Sequence, residues 1–222
     1  MAFSVLGIIL VFYIGVKVGN SIYKTSLIRF FTACSFSFLF YKFSFSITFF
    51  LFAFLTYSLV SVSVVDYFHR IIPAIFPILL IVIGVVCSFL NVSLGETSLS
   101  RFLNSTLGII SGGGVLFIVG FFGQLLYKRE VIGEGDVKLM AGVGAFIGWE
   151  KALFSVFIAA VLGSIVGLAL IICRKMTRRD YMPFGPFLSA ASIISIFLPQ
   201  PSSCLDIFFV WEAQVFNRIL GA

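Results

Sequence analysis

The sequence predicts an all-α fold: a polytopic bundle of transmembrane helices with about eight spans, two of them short. Three observations predict it. First, 60% of the 222 residues are hydrophobic and only 11% are charged, against about 25% charged in a soluble globular protein. Second, the charge-free runs are long, at 2–16, 30–41, 43–65, 71–95, 102–127, 139–149, 152–173 and 181–205. Third, Lys and Arg fall unevenly between the loops that join these runs. A cytosolic enzyme, a disordered tail and a secreted disulfide scaffold are excluded.

A helix crossing a ~30 Å hydrocarbon layer needs about 20 residues, and each run is read against that length. The first span is placed at 2–19. No Lys or Arg precedes Lys17 and no small-residue cleavage pattern follows, so it is expected to be a retained helix and not a removed signal peptide. The second, 27–45, rests on a short run and extends past Lys42, whose long stem reaches an interface. The third, 47–65, stops before Asp66. The fourth is 71–91. The fifth, 106–127, contains Gly112-Gly113-Gly114, a break, a hinge or only a crowded crossing. The sixth, 136–149, is a short run extended back through Lys138 to Asp136. The seventh is 152–173. The last, 184–200, starts at Pro183 and Pro186, since proline is tolerated in a first helical turn. Gly144/Gly148 and Gly163/Gly167 stand four apart, a spacing that lets helices approach closely. After Pro201, Asp206, Glu212 and Arg218 among apolar residues suggest an interfacial tail over 202–222. The whole chain, 1–222, reads as one membrane domain.

With the N-terminus outside, eleven Lys/Arg face inward, among them Arg70, Lys128, Arg129 and the Arg174–Arg179 cluster. Only Lys42, Arg101, Lys151 and Arg218 face outward, as the positive-inside rule requires. The net charge of +6 therefore reports topology and contact with anionic membrane lipid. No aromatic and basic array suggests nucleic acid. Cys34, Cys87, Cys173 and Cys204 are isolated and no C-x-x-C pair exists, so no metal site is expected. His69, the one histidine, reads as a loop residue beside Arg70.

Two acids stand apart. Asp66 ends 23 uncharged residues and precedes Arg70 and Pro73. Asp136 lies in Gly133-Glu134-Gly135-Asp136-Val137-Lys138, ahead of a Gly- and Ala-rich segment. Both fall at the inner face in this topology. A carboxylate at a membrane boundary is a functional candidate because its burial is expensive. The plainer alternative pairs Asp66 with Arg70 and has Asp136 capping a helix. Gly133 and Gly135 allow positive φ or close approach of another chain. If the two acids meet, like-charge repulsion leaves one charged and one neutral near pH 7, the arrangement an aspartic protease needs. Lys138 either stabilises a carboxylate or an oxyanion, or anchors the helix at the interface. Glu130 and Glu134 either attract a basic peptide or balance Lys128 and Arg129.

Residues 132–149, Ile-Gly-Glu-Gly-Asp-Val-Lys-Leu-Met-Ala-Gly-Val-Gly-Ala-Phe-Ile-Gly-Trp, resemble the second aspartate motif of the type IV prepilin peptidases, membrane aspartic proteases of the G-x-G-D kind. Asp66 through Pro73 resembles the first motif. Pro183-Phe184-Gly185-Pro186-Phe187-Leu188-Ser189 resembles the start of the last helix, and Gly15–Asn20 weakly resembles the end of the first. The resemblance implies that Asp66 and Asp136 are the catalytic pair, with Gly133, Gly135, Lys138, Pro73 and Gly185 in support. Gly185 would let the last helix pack close to the pair. It implies cleavage of the short basic leader of a prepilin or pseudopilin, after a Gly, at the cytoplasmic face of the bacterial inner membrane. No cofactor is implied. Long members carry a cytoplasmic domain with paired C-x-x-C motifs where this chain has only about ten residues, Asn20–Arg29. The chain thus resembles a short form, and the resemblance does not extend to their N-methyltransferase activity. The rivals are an ion- or proton-coupled transporter subunit, in which the aspartates relay protons or bind a cation, and an inactive scaffold of a pilus or secretion machine.

Overall fold

The computed structural model describes residues 22–128, 131–174 and 182–198. The first expected span (2–19), Glu130, the basic cluster beyond Arg174 and the tail 202–222 lie outside the described residues. Within them the chain forms α1 (Ile22–Phe43), α2 (Ile47–His69), α3 (Ile75–Cys87), two 3₁₀ turns at Ser88–Leu90 and Val92–Leu94, α4 (Ser98–Tyr127), α5 (Glu134–Ile147), α6 (Trp149–Ile172) and α7 (Gly185–Phe197). By length and composition α2, α4 and α6 can each cross a membrane. Of the other described helices, α1 has 22 residues, whereas α3, α5 and α7, of 13, 14 and 13 residues, fall short of the ~20 a crossing takes. Helix lengths alone therefore do not yield eight spans.

Local chemistry explains where the helix bounds depart from the expected spans. Helix α4 begins at Ser98, not at 106, because Thr97 and Ser100 cap it reciprocally. Thr97 Oγ1 accepts the Ser100 N–H at 3.2 Å, and Ser100 Oγ accepts the Thr97 N–H at 3.2 Å. Helix α2 runs past Asp66 to His69 and closes on Arg70 at φ 55°, whose N–H donates to the Asp66 carbonyl at 2.8 Å. Helix α3 starts at Ile75, not at 71, since a residue before proline is pushed out of helical conformation and Pro73 stands just ahead. Gly148, at φ 81°, turns the corner from α5 into α6, a conformation glycine adopts without a Cβ penalty.

Helix α5 is the centre of the bundle, with every residue from Leu139 to Ile147 buried. Its neighbours reach it through missing side chains. A Cβ on Gly108 of α4 or on Gly144 of α5 would run into the other residue's carbonyl oxygen. A Cβ on Gly112 would lie 2.5 Å from the Met140 carbonyl oxygen, and one on Gly142 would lie 2.6 Å from Leu80 Cβ of α3. The glycine triplet is thus a crowded crossing, and α4 continues through it without break or hinge. Of the pair Gly144/Gly148, Gly144 makes the tighter contact with α4, and Gly148 also lies against it, with a Cβ on Gly108 falling 3.0 Å from the Gly148 carbonyl carbon. A Cβ on Gly163 would meet Phe184 at 3.5 Å, an ordinary contact.

The C-terminal ends of α5 and α7 are both tied. The last-turn carbonyls of α5, which have no partner within the helix, accept from Asn91 Nδ2 (Phe146 O, 2.9 Å) and Ser105 Oγ (Ala145 O, 2.8 Å). Lys42 Nζ of α1 donates to the carbonyls of Ile196 and Phe197 at the end of α7, at 3.0 and 2.8 Å. Helix α7 is thereby fixed at the end remote from Gly185.

Candidate active site

Asp66 occupies the last turn of α2 and Asp136 the first turn of α5. Both are buried, with 3% and 4% of their surface exposed. Residues far apart in sequence share one site here, near enough for the two carboxylate charges to act on each other.

Three elements build the site. Gly185, the first residue of α7, donates its N–H to Asp66 Oδ2 at 3.0 Å. That amide is one of the donors a helix start leaves unpaired, and the partial positive charge there faces the carboxylate. A Cβ on Gly185 would lie 2.6 Å from Asp66 Oδ2, so no side chain fits between helix and carboxylate. Asp136 stands three residues after the helix N-cap, Gly133, whose backbone amide lies near its carboxylate. Asp136 Oδ1 is buried with no hydrogen-bond partner among the described residues. Finally, a Cβ on Gly135 would meet Ile72 Cβ at 2.8 Å, so the chain just after Asp66 lies directly on the turn carrying Asp136.

Other expected site residues fall differently. The hydrogen bond to Asp66 comes from Gly185, not from Arg70. Neither Gly133, at φ −70°, nor Gly135 takes the positive φ that the sequence allowed. Gly133 is an extended cap and Gly135 serves close approach. Lys138 Nζ pairs with Glu134 Oε2 at 2.8 Å on an exposed face, one helical turn apart, and so is engaged away from the dyad. This ammonium holds the exposed Glu134 carboxyl below the ordinary carboxylate range. Pro73 lies in the α2–α3 connection and its carbonyl accepts the Phe76 N–H at 3.2 Å. The Gly185 main-chain donor was not read from the sequence. Its signal was Pro186, which marks a first helical turn and hence a free amide just before it. Among the described residues no three of His, Cys, Asp and Glu cluster as a metal site. Two buried carboxylates side by side suit paired acid and base work on a water molecule.

The family model of the type IV leader peptidase family matches residues 49–168, more than half of the chain and both aspartates. The chain is 39% identical over 97 residues to a prepilin leader peptidase/N-methyltransferase of Burkholderia pseudomallei strain 1026b, covering 44% of this chain and 31% of that relative. It is 29% identical over 144 residues to the protein of the same description from Aeromonas hydrophila, covering 64% and 47%. With that of Pseudomonas aeruginosa it shares 24% over 170 residues, covering 77% and 57%. The matched part is less than two thirds of each relative's length. No solved structure matches the chain.

Proposed function

The chain belongs to the type IV leader peptidase family, and from that premise we propose that it is a membrane aspartic endopeptidase. It cuts the short basic leader from a type IV prepilin or pseudopilin at the cytoplasmic face of the inner membrane. The observation that carries the reading is the burial of Asp66 and Asp136 within reach of each other's charge, on helices that the sequence separates widely. A cytoplasmic site is supported by the uneven distribution of Lys and Arg, read with eight crossings and the N-terminus outside.

Chemistry follows from the pair. Two carboxylates in one site hold one proton between them, because both cannot comfortably ionise at close range. The ionised partner takes a proton from water as that water attacks the carbonyl carbon of the leader's final glycine. The protonated partner donates to the carbonyl oxygen. The proton then passes to the departing amine, and no covalent enzyme intermediate forms. The dyad titrates as a unit, so the two roles belong to the pair. The Gly185 amide fixes the orientation of Asp66.

The test is cleavage of a co-expressed prepilin by wild type, Asp66→Asn and Asp136→Asn, read by intact mass. Both variants are expected to accumulate normally in the membrane and leave the precursor uncut. Cutting by either at the wild-type rate would refute the dyad. The wild-type product mass also reports methylation of the new N-terminus, an activity outside this proposal.

A further inference from the structure

Helices α5 and α7 run side by side in the same direction from the aspartate site. Gly185 begins α7 beside Asp66. Seven residues later Ser192 Oγ lies 3.8 Å from Met140 Sδ of α5. Met140 is one helical turn beyond Asp136, and residues four apart share a helix face. One turn back from Ser192 on the same face of α7 is Ser189. Ser189 and Asp136 therefore fall at similar heights on the two helices. Ser189 is 2% exposed.

Most hydroxyls along this seam are bonded. Ser192 Oγ donates to the Leu188 carbonyl at 2.7 Å. Ser195 Oγ donates to the Ala191 carbonyl at 2.9 Å and meets Ser155 Oγ at 2.8 Å. Ser189 Oγ is different: like Asp136 Oδ1 it is buried and finds no partner among the described residues. An unpaired buried polar atom is costly, and a single group that reached both would stabilise the two together. A water molecule fits that need, since buried waters sit where two or more polar atoms converge.

We propose that Ser189 is a positioning residue for the dyad: its hydroxyl and Asp136 Oδ1 together hold a water molecule at the inner side of the aspartate pair. The inference rests on the peptidase reading above. The held water supplies a hydrogen bond to the carboxylate that faces away from the substrate. It fixes the rotamer of Asp136 and so the direction of its reactive oxygen. Asp66 has the corresponding restraint from the Gly185 amide. Each carboxylate is thereby oriented by a group at the start of α7.

The experiment measures kcat and KM for a synthetic peptide with a basic leader ending in Gly and an apolar segment after it, in detergent micelles. Wild type is compared with Ser189→Ala, Ser189→Thr and Ser192→Ala, each at verified membrane levels. Asp66→Asn and Asp136→Asn are run alongside. Ser189→Ala is expected to lower kcat about 10-fold with KM unchanged, the effect of one lost hydrogen bond to a charged group. Ser189→Thr keeps the hydroxyl and restores most of that loss. Ser192→Ala, whose hydroxyl is bonded within its own helix, leaves kcat within about twofold. Wild-type kcat in Ser189→Ala overturns the inference, as does an equal loss in Ser192→Ala, which would make the seam merely structural. If Ser189→Ala does not accumulate, Ser189→Thr decides, and a 10-fold loss there overturns it too. Activity retained in either Asp→Asn variant would instead overturn the peptidase reading itself.

Discussion

Replacing Gly185 by alanine tests how closely the dyad depends on a main-chain contact. The new Cβ would stand 2.6 Å from Asp66 Oδ2, 3.1 Å from its Cγ and 3.2 Å from its Cβ. A comfortable contact begins near 3.4 Å. The carboxyl must therefore retreat by roughly 0.8 Å, or α7 must lift away by a similar amount. Either movement lengthens the 3.0 Å hydrogen bond from the Gly185 amide past a useful distance. Overpacking of this kind costs about 1–3 kcal/mol of stability. Its effect on rate is larger, because a misplacement near 1 Å at a reacting group costs about 100-fold. Gly185→Ala is thus expected to reach the membrane, lose a few degrees of thermal stability and cut the prepilin peptide about 100-fold more slowly. Gly163→Ala is the control, since its Cβ would meet Phe184 at an ordinary 3.5 Å. Wild-type kcat in Gly185→Ala would refute the claim that α7 orients Asp66. An equal loss in Gly163→Ala would show that any added methyl in the bundle has this effect.

Four further outcomes follow from the contacts described above. Gly108→Ala forces α4 off α5, because the obstacle is the Gly144 backbone and no rotamer relieves it. It should lower the melting temperature in detergent by the equivalent of about 1–3 kcal/mol or more. Gly114→Ala, with nothing within 4 Å of the new methyl, should raise it by up to about 1 kcal/mol through helix propensity. Lys138→Gln should leave kcat within about twofold, since its ammonium is engaged by Glu134 on an exposed face. Glu134→Lys should raise KM for basic leaders at low salt and lose that effect at high salt. An unchanged KM at low salt would make the Glu134–Lys138 pair a solvated ornament of the helix surface.

What the sequence made legible was whatever depends on one segment at a time. Charge-free runs marked the apolar helices α2, α4 and α6, because burial in lipid demands length and apolarity locally. The run from Ile132 to Trp149 carried enough specific residues to bring the family into view. Helix starts were less legible where polar residues were counted as interruptions. Ser98 and Arg101 looked like loop, yet Thr97 caps the helix there and Arg101 donates to the carbonyls of Phe89, Gly95 and Glu96. Relations between helices were the hidden part. Arg70 was the obvious neighbour for Asp66 because it is four residues away. The partner found is Gly185, brought in by α7, and its donor is a main-chain amide that no residue code advertises. Gly133 and Gly135 invited a conformational reading, whereas one is an extended cap and the other makes room for Ile72.

The same contrast says what kind of site this is. Asp66 is held by the Gly185 backbone amide, and the Gly133 amide lies near the Asp136 carboxylate. Gly185 and Gly135 are the points where neighbouring atoms leave no space for a Cβ. Backbone donors cannot change rotamer, so the orientation of Asp66 is set by how α7 docks. The docking of α4 on α5 is in turn set by glycine contacts that run from Val137, next to Asp136, to Gly144. Small changes in helix packing should therefore appear first as losses in rate and only later as losses in stability. A survey of glycine substitutions along α4 and α5, with kcat and melting temperature measured on the same preparations, would test that order. Parallel losses in both quantities at every position would mean that the dyad is no more sensitive to docking than the bundle as a whole.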